Sequence, residues 1–332
     1  MLQQKIAFIT RFQVHLALLL AFACSITACR KDQLQPQGLQ QIETYTTTDR
    51  LNKILFINDS IGFIVGGNRF FNAAILKTED GGTTWQYYHD ETDNGIYGIT
   101  RSSSGRIYTI GWMGEMNITS DEGVSWQKKQ TRYEEYKDLA FANESRGVAV
   151  GGISFITGYL MYLDSEGNVL RHDSLSHELN DIEQVDGKTA YICGYGVLYK
   201  TSDSMKTWQQ LDVKNDNFTA VHAYANGEVW TCGYNGSIFH SPDGGQRWER
   251  KRNGNDVTRP RYRLLDIGFA DPLHGYAVGE KGLMICTNDG GTHWMEYKSF
   301  TKADLRNIYI RKDGAVFVCG DNGALFKLPA TQ

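Results

Sequence analysis

An octet of the form Thr-x-Asp-x-Gly-x-x-Trp recurs along this chain, and its spacing limits the fold more than any other feature. Good copies stand at 78–85, 119–126, 241–248 (with Ser241 for Thr) and 287–294. A fifth, at 201–208, keeps Thr201, Asp203 and Trp208 but has Met205 where the glycine belongs. The tryptophans lie 41, 82, 40 and 46 residues apart. The interval of 82 implies a worn copy between, which 163–170 supplies, with Gly167 retained and Leu170 in the Trp position. A fixed period of this length marks an array of small supersecondary units.

A second signature precedes each octet: an alternating apolar stretch that ends in glycine. Its anchors are Gly66, Gly111, Gly151, Gly194, Gly233, Gly279 and Gly320, spaced by 45, 40, 43, 39, 46 and 41, so there are seven units. Ahead of each anchor lies another short apolar stretch, at 51–56, 96–100, 136–141, 179–182, 218–223, 264–269 and 305–310. A third strand leads into the octet and a fourth begins at its Trp. Four short strands repeated seven times predict an all-β chain, a seven-bladed β-propeller of four-stranded blades. The last unit ends without an octet or fourth strand, whereas residues 41–45 form an orphan strand before the first. We expect this N-terminal strand to become the outer strand of blade seven and close the ring, removing an aggregation-prone edge.

The octet has a structural explanation. An aspartate in a turn accepts N–H groups a few residues on, and glycine supplies the positive φ such turns need. Asp80, Asp121, Asp203, Asp243 and Asp289 are assigned to these turns, and Trp85, Trp126, Trp208, Trp248 and Trp294 to packing between blades. No metal or cofactor is expected. Such Asp boxes also occur in sialidases, sortilin-type receptors and several glycosidases. The fuller pattern, an apolar-Val-Gly stretch followed by the octet, resembles the photosystem II stability and assembly factor propellers, most closely at 274–294. The resemblance implies the fold and a protein-binding habit, and does not establish a photosystem partner.

Glycine at 35 of 332 residues with only 5 prolines favours tight turns over disorder. A net charge of −4 gives no global attraction to nucleic acid. The N-terminus carries Lys5 and Arg11, a short apolar run, and Ile26-Thr27-Ala28-Cys29, which resembles a bacterial lipobox. We therefore expect a signal peptide at 1–28, a lipidated Cys29, a Gln-rich flexible tether at 29–40 and the propeller at 41–330. Arg30 follows the anchor cysteine, so the outer membrane is the expected address. Cys193, Cys232 and Cys319 occupy the same place in separate units, too far apart for disulfides, and are read with Cys286 as buried free thiols.

Loop lengths locate a site. Connections after the second and fourth strands share one face, opposite the Asp boxes. Three of them are lengthened, and they contain Arg69, Phe70 and Phe71; Phe155; and Arg259, Arg261, Tyr262 and Arg263. Trp112, Tyr195 and Tyr234 add aromatic groups near the mouth. Aromatics and arginine are the residue types enriched at interface hot spots, so this rim is the candidate surface for a protein partner. The alternative is a carbohydrate-active enzyme using two carboxylates at the propeller mouth, with Glu115, Glu280 and Asp321 as the acids. No sialidase-type Arg-Ile-Pro is present.

Overall fold

The computed structural model describes residues 33–44, 50–88, 94–214, 216–254 and 261–329, with the side chains of 71 and 72 left aside. The chain divides into two units, Met1–Leu34 and Gln35–Gln332. The signal segment and Cys29 belong to the first and lie outside the described residues, and the architecture below is that of the second.

Seven four-stranded antiparallel sheets follow one another. In blades one to six the strands are sequential, as in Leu51–Phe56, Gly62–Asn68, Phe71–Thr78 and Gln86–Tyr88 of blade one. Blade seven is built from Leu305–Ile310, Val316–Gly320 and Leu325–Leu328, with its outer strand supplied by Gln40–Gln41. Gln40 pairs with Lys327 and Gln41 with Phe326. Ile42 N donates to Leu325 O at 2.9 Å and Thr44 Oγ1 to Gly323 O at 2.9 Å. The closing strand therefore starts one residue earlier than the expected 41–45 and is shorter, and Tyr45 lies outside the described residues.

The second strands are mostly apolar because both faces are covered: all five residues of Ile107–Gly111, Val229–Gly233 and Val316–Gly320 are buried. The core lies between blades. Leu51, Ile64 and Trp85 of blade one pack with Phe317, Cys319 and Leu325 of blade seven. The anchor glycines are required by close approach: a Cβ on Gly66 would lie 2.3 Å from Arg50 O, and one on Gly320 2.1 Å from Asp304 O. Cys193, Cys232, Cys286 and Cys319 are free and buried.

The Asp boxes are turns closed by their own side chains. Asp80 Oδ1 accepts the N–H of Thr83 and Thr84, each at 2.9 Å, while Thr78 Oγ1 donates to Asp80 Oδ1 and accepts Gly82 N, both at 2.9 Å. These bonds hold the Asp80 carboxyl down at about 2, and Asp121, Asp203, Asp243 and Asp289 are lowered by the same pattern. Met205 takes a φ of 62° in the glycine position and buries its side chain in the core between blades three and four. Trp126, Trp208, Trp248 and Trp294 each pack toward the preceding blade. The worn copy is a correction. Asp164 Oδ1 accepts Glu166 N and Asn168 N in an ordinary hairpin turn, and Leu170 is 58% exposed, so it does not fill the Trp position.

Candidate functional site

The lengthened connections are extended hairpins rather than long loops. In blade one the second and third strands run to Asn68 and from Phe71, leaving only Arg69 and Phe70 at the tip. In blade three the strands Arg146–Ile153 and Thr157–Leu163 project similarly. Phe71 thus has its backbone in the third strand, with Phe71 paired to Asn68.

These tips converge in two groups. Phe70 is 56% exposed and stands edge-on to Trp112 at 5.2 Å, while the Arg69 guanidinium lies 4.9 Å over the Trp112 ring and pairs with Glu135 at 3.1 Å. Across the face, Phe155 stacks at 5.2 Å on Tyr195 and 6.1 Å from Tyr234, and Arg263 covers Tyr234 at 4.2 Å. Phe155 and Tyr195 are 43% and 45% exposed. Ser154 and Phe155 both have positive φ, 59° and 67°, a costly conformation for such residues. It is held because Glu178 Oε2 accepts Phe155 N at 2.5 Å and Glu178 N donates to Phe155 O at 3.1 Å. Arg261 is exposed, Tyr262 is half-buried with Lys281 5.2 Å over its ring, and Arg259 lies outside the described residues. The basic run 250–252 sits apart on the outer strand of blade five, where Arg250 lies over Phe239 and Lys251 pairs with Glu249.

The carboxylates proposed for catalysis have partners, although Glu115 Oε2 is buried without one. Glu280 pairs with Arg263 at 3.3 Å, Glu115 accepts Asn94 Nδ2 at 2.7 Å, and Asp321 binds Arg306.

The axial channel was not foreseen. In the inner strands the first and fourth residues are buried between blades, while the second and third are half-exposed toward the axis, as in Leu51–Phe56 and Leu305–Ile310. Thirteen residues before each anchor glycine stand Lys53, Gly98, Asp138, Asp181, Ala220, Asp266 and Asn307. Aligning the units on their glycines would have revealed this layer. Lys53 Nζ lies 2.6 Å from Asp138 Oδ2 and 3.5 Å from Asp181 Oδ1. Asp266 Oδ2 accepts Asn307 Nδ2 at 2.6 Å and Ile308 N at 2.8 Å. Burial pushes the Asp138 carboxyl up to about 8, with Lys53 pulling it down and Asp181 adding repulsion. Burial and Asp181 likewise raise Asp266 to about 7. Lys53, Asp181, Asp266 and Asn307 of this layer border a cavity of about 420 Å³, lined also by Glu183, His222 and Tyr309.

Fold and face together define a seven-bladed Asp-box β-propeller with an aromatic and cationic rim opposite the boxes. Within that class the chain resembles one family: a model of the photosynthesis system II assembly factor YCF48 matches residues 259–326. The chain is 25% identical over 213 residues to the photosystem II assembly lipoprotein Ycf48 of a Nostoc species, a match covering 64% of this chain. That match spans 51% of the relative, so the chain matches about half the length of the curated protein. A solved structure described as "YCF48 bound to D1 peptide" superposes with a TM-score of 0.70 at 17% identity, covering 90% of this chain and 97% of that one. A streptogramin B lyase superposes with a TM-score of 0.72 at 12% identity, over 87% and 96%. The fold is therefore shared with an enzyme as well as with assembly factors, and the choice between them rests on the site.

Proposed function

We propose that this chain is a non-catalytic, lipid-anchored scaffold that binds a polypeptide partner on the face opposite its Asp boxes. The observation that carries the reading is the pair of aromatic clusters, Phe70 with Trp112 and Phe155 with Tyr195 and Tyr234, each covered by an arginine and left partly exposed. Exposed aromatics that are already braced lose little entropy on binding, which is the character of interface anchors. A peptide-bound relative of the same fold supports a peptide as the partner. The pairing of Glu280 with Arg263 and of Asp321 with Arg306 gives no support to the glycosidase alternative.

The test is capture of a partner from native membranes by the full-length chain. Replacing Phe70, Phe155 and Tyr195 together by Ala should reduce capture more than tenfold while the melting temperature holds, since hot-spot truncations cost about 2 kcal/mol or more each. Undiminished capture by the triple variant would remove the rim from consideration. Turnover of an oligosaccharide by purified protein would favour the alternative.

Anchorage belongs to the same proposal. Cys29 carries the lipid, and the relatives named lipoproteins support it. Cys29→Ser should move the protein from the membrane fraction to the soluble one, and density separation of the two membranes should place the wild type in the outer one.

A further inference from the structure

Sixteen residues before each anchor glycine, the units place Arg50, Gly95, Glu135, Glu178, Asn217, Arg263 and Asp304 around the upper mouth of the channel. Most charges there are matched. Arg306 is paired with Asp321, Arg69 with Glu135, Lys137 with Glu178 and Arg263 with Glu280. Arg50 and Asp304 are the exceptions, and the Asp304 carboxylate accepts Lys281 N at 2.8 Å. Arg50 is half-buried, makes no ion pair with any described carboxylate, and its Nε is buried without a hydrogen-bond partner. Such a charge is costly to bury unless something pairs with it.

The surroundings specify what that is. The Arg50 guanidinium lies 5.7 Å from the ring centre of Tyr97. Tyr97 is half-buried, and among the described residues its hydroxyl forms no hydrogen bond. Glu135, Arg50, Arg69 and Arg306 are the charged groups that act on this hydroxyl. Among the described residues, Arg69 is paired with Glu135 and Arg306 with Asp321, which leaves Arg50 without a carboxylate in contact. The planar donor fork of a guanidinium suits a singly charged, planar oxyanion, and the Tyr97 ring over which it lies carries an O–H donor. The carboxylates of Glu135 and Asp321, which act on the same guanidinium, disfavour a dianion such as phosphate. Burial, and repulsion from Arg306, lower Arg50 to about 10 against the opposing pull of Asp321 and Glu135.

We infer that Arg50 and Tyr97 form a binding site for a single carboxylate at the upper mouth of the channel. The site stands independently of the aromatic rim, because neither residue belongs to the hairpin tips. The carboxylate comes either from a small free acid or from the end of a bound chain, and the experiment separates the two.

The full-length chain in detergent is titrated with sodium acetate, with sodium phosphate, and with a short peptide bearing either a free or an amidated C-terminus, at matched ionic strength in chloride. Melting temperature and binding heat are read for the wild type, Arg50→Gln, Arg50→Lys and Tyr97→Phe. The expected result is stabilisation of the wild type by acetate or by the free-acid peptide, with phosphate and the amidated peptide weaker by at least tenfold. Acetate acting as well as the peptide identifies a free acid, and the peptide alone identifies a chain end. Arg50→Gln should abolish the response at an unchanged or raised melting temperature, because it removes an unpaired charge. Arg50→Lys should retain part of the response, and Tyr97→Phe should weaken it. No stabilisation by either carboxylate, equal stabilisation by phosphate, or an undiminished response in a folded Arg50→Gln overturns the assignment. So does a large loss of stability in Arg50→Gln, since the charge would then already be satisfied. Failure of the rim variant to lose partner capture leaves this result untouched.

Discussion

Lys53 Nζ lies 2.6 Å from Asp138 Oδ2, although the lysine is on blade one and the aspartate on blade three. Blade two presents Gly98 at the intervening position, and a Cβ there would come within 2.8 Å of Asp138 Cα and 2.9 Å of its Oδ1. The missing side chain is what lets the two charges meet across a blade. The same two carboxylates near Lys53 also accept backbone N–H groups from the next blades, Ile182 N on Asp138 and Val221 N on Asp181. The axial layer therefore ties inner strands together where apolar packing ends.

The first prediction is a pH profile. Asp138 is raised to about 8 and Asp266 to about 7, both above the ordinary 3.8. Between those limits the folded state holds more protons than the unfolded chain, so stability falls as pH rises through this window. The Asp-box carboxyls, lowered to about 2 at Asp80 and Asp289, act oppositely: their contribution is present above the ordinary value and is lost as pH falls toward 2. Thermal melts should show a maximum in mildly acidic buffer. Asp138→Asn, which keeps an oxygen for Lys53, should flatten the decline toward pH 8. An unchanged decline in that variant would reject the assignment to this layer.

Closure of the ring is the second. Deleting residues 35–44 removes the outer strand of blade seven and the Ile42 side chain packed against the core shared by blades seven and one. Loss of a buried aliphatic group and its strand pairing should cost about 2–4 kcal/mol. Denaturant midpoints measure this, and a midpoint equal to that of the full chain would show that the strand is dispensable.

Third, the true and worn boxes should respond differently to truncation. Trp85 is 2% exposed between blades one and seven, so Trp85→Ala should cost about 3–5 kcal/mol. Leu170 is largely exposed on blade three, and Leu170→Ala should stay within about 0.5 kcal/mol. Equal losses would mean that Leu170 does the work of a tryptophan after all.

The fourth concerns the strained tip of blade three. Ser154 holds a φ of 59°, where glycine is comfortable, so Ser154→Gly should raise stability by about 0.5–1 kcal/mol. Because Phe155 is fixed by Glu178 and not by Ser154, partner capture should survive the change. A lower melting temperature would show that the serine side chain contributes to the hairpin.

The period of the octet and of the anchor glycines determined the architecture before any coordinates. Each unit states its own strands locally, through alternating apolar residues and a turn whose Asp, Gly and hydroxyl bond to backbone within a few residues. Local rules of that kind survive translation from sequence to structure: Asp80 accepts N–H groups three and four residues on, and Trp85 packs between blades one and seven. Leu170 does not, because filling the Trp position needs a large flat ring that reaches the preceding blade, and leucine is too short. The axial layer and the unpaired Arg50 are different in kind. Lys53 and Asp138 are separated by two blades in sequence and become neighbours only when the ring closes and Gly98 leaves the space between them. Whether a charge at the mouth is matched depends on which side chains seven separate strands bring to one point. The repeat specified that such a point exists, and the tertiary structure alone decided which charges meet there.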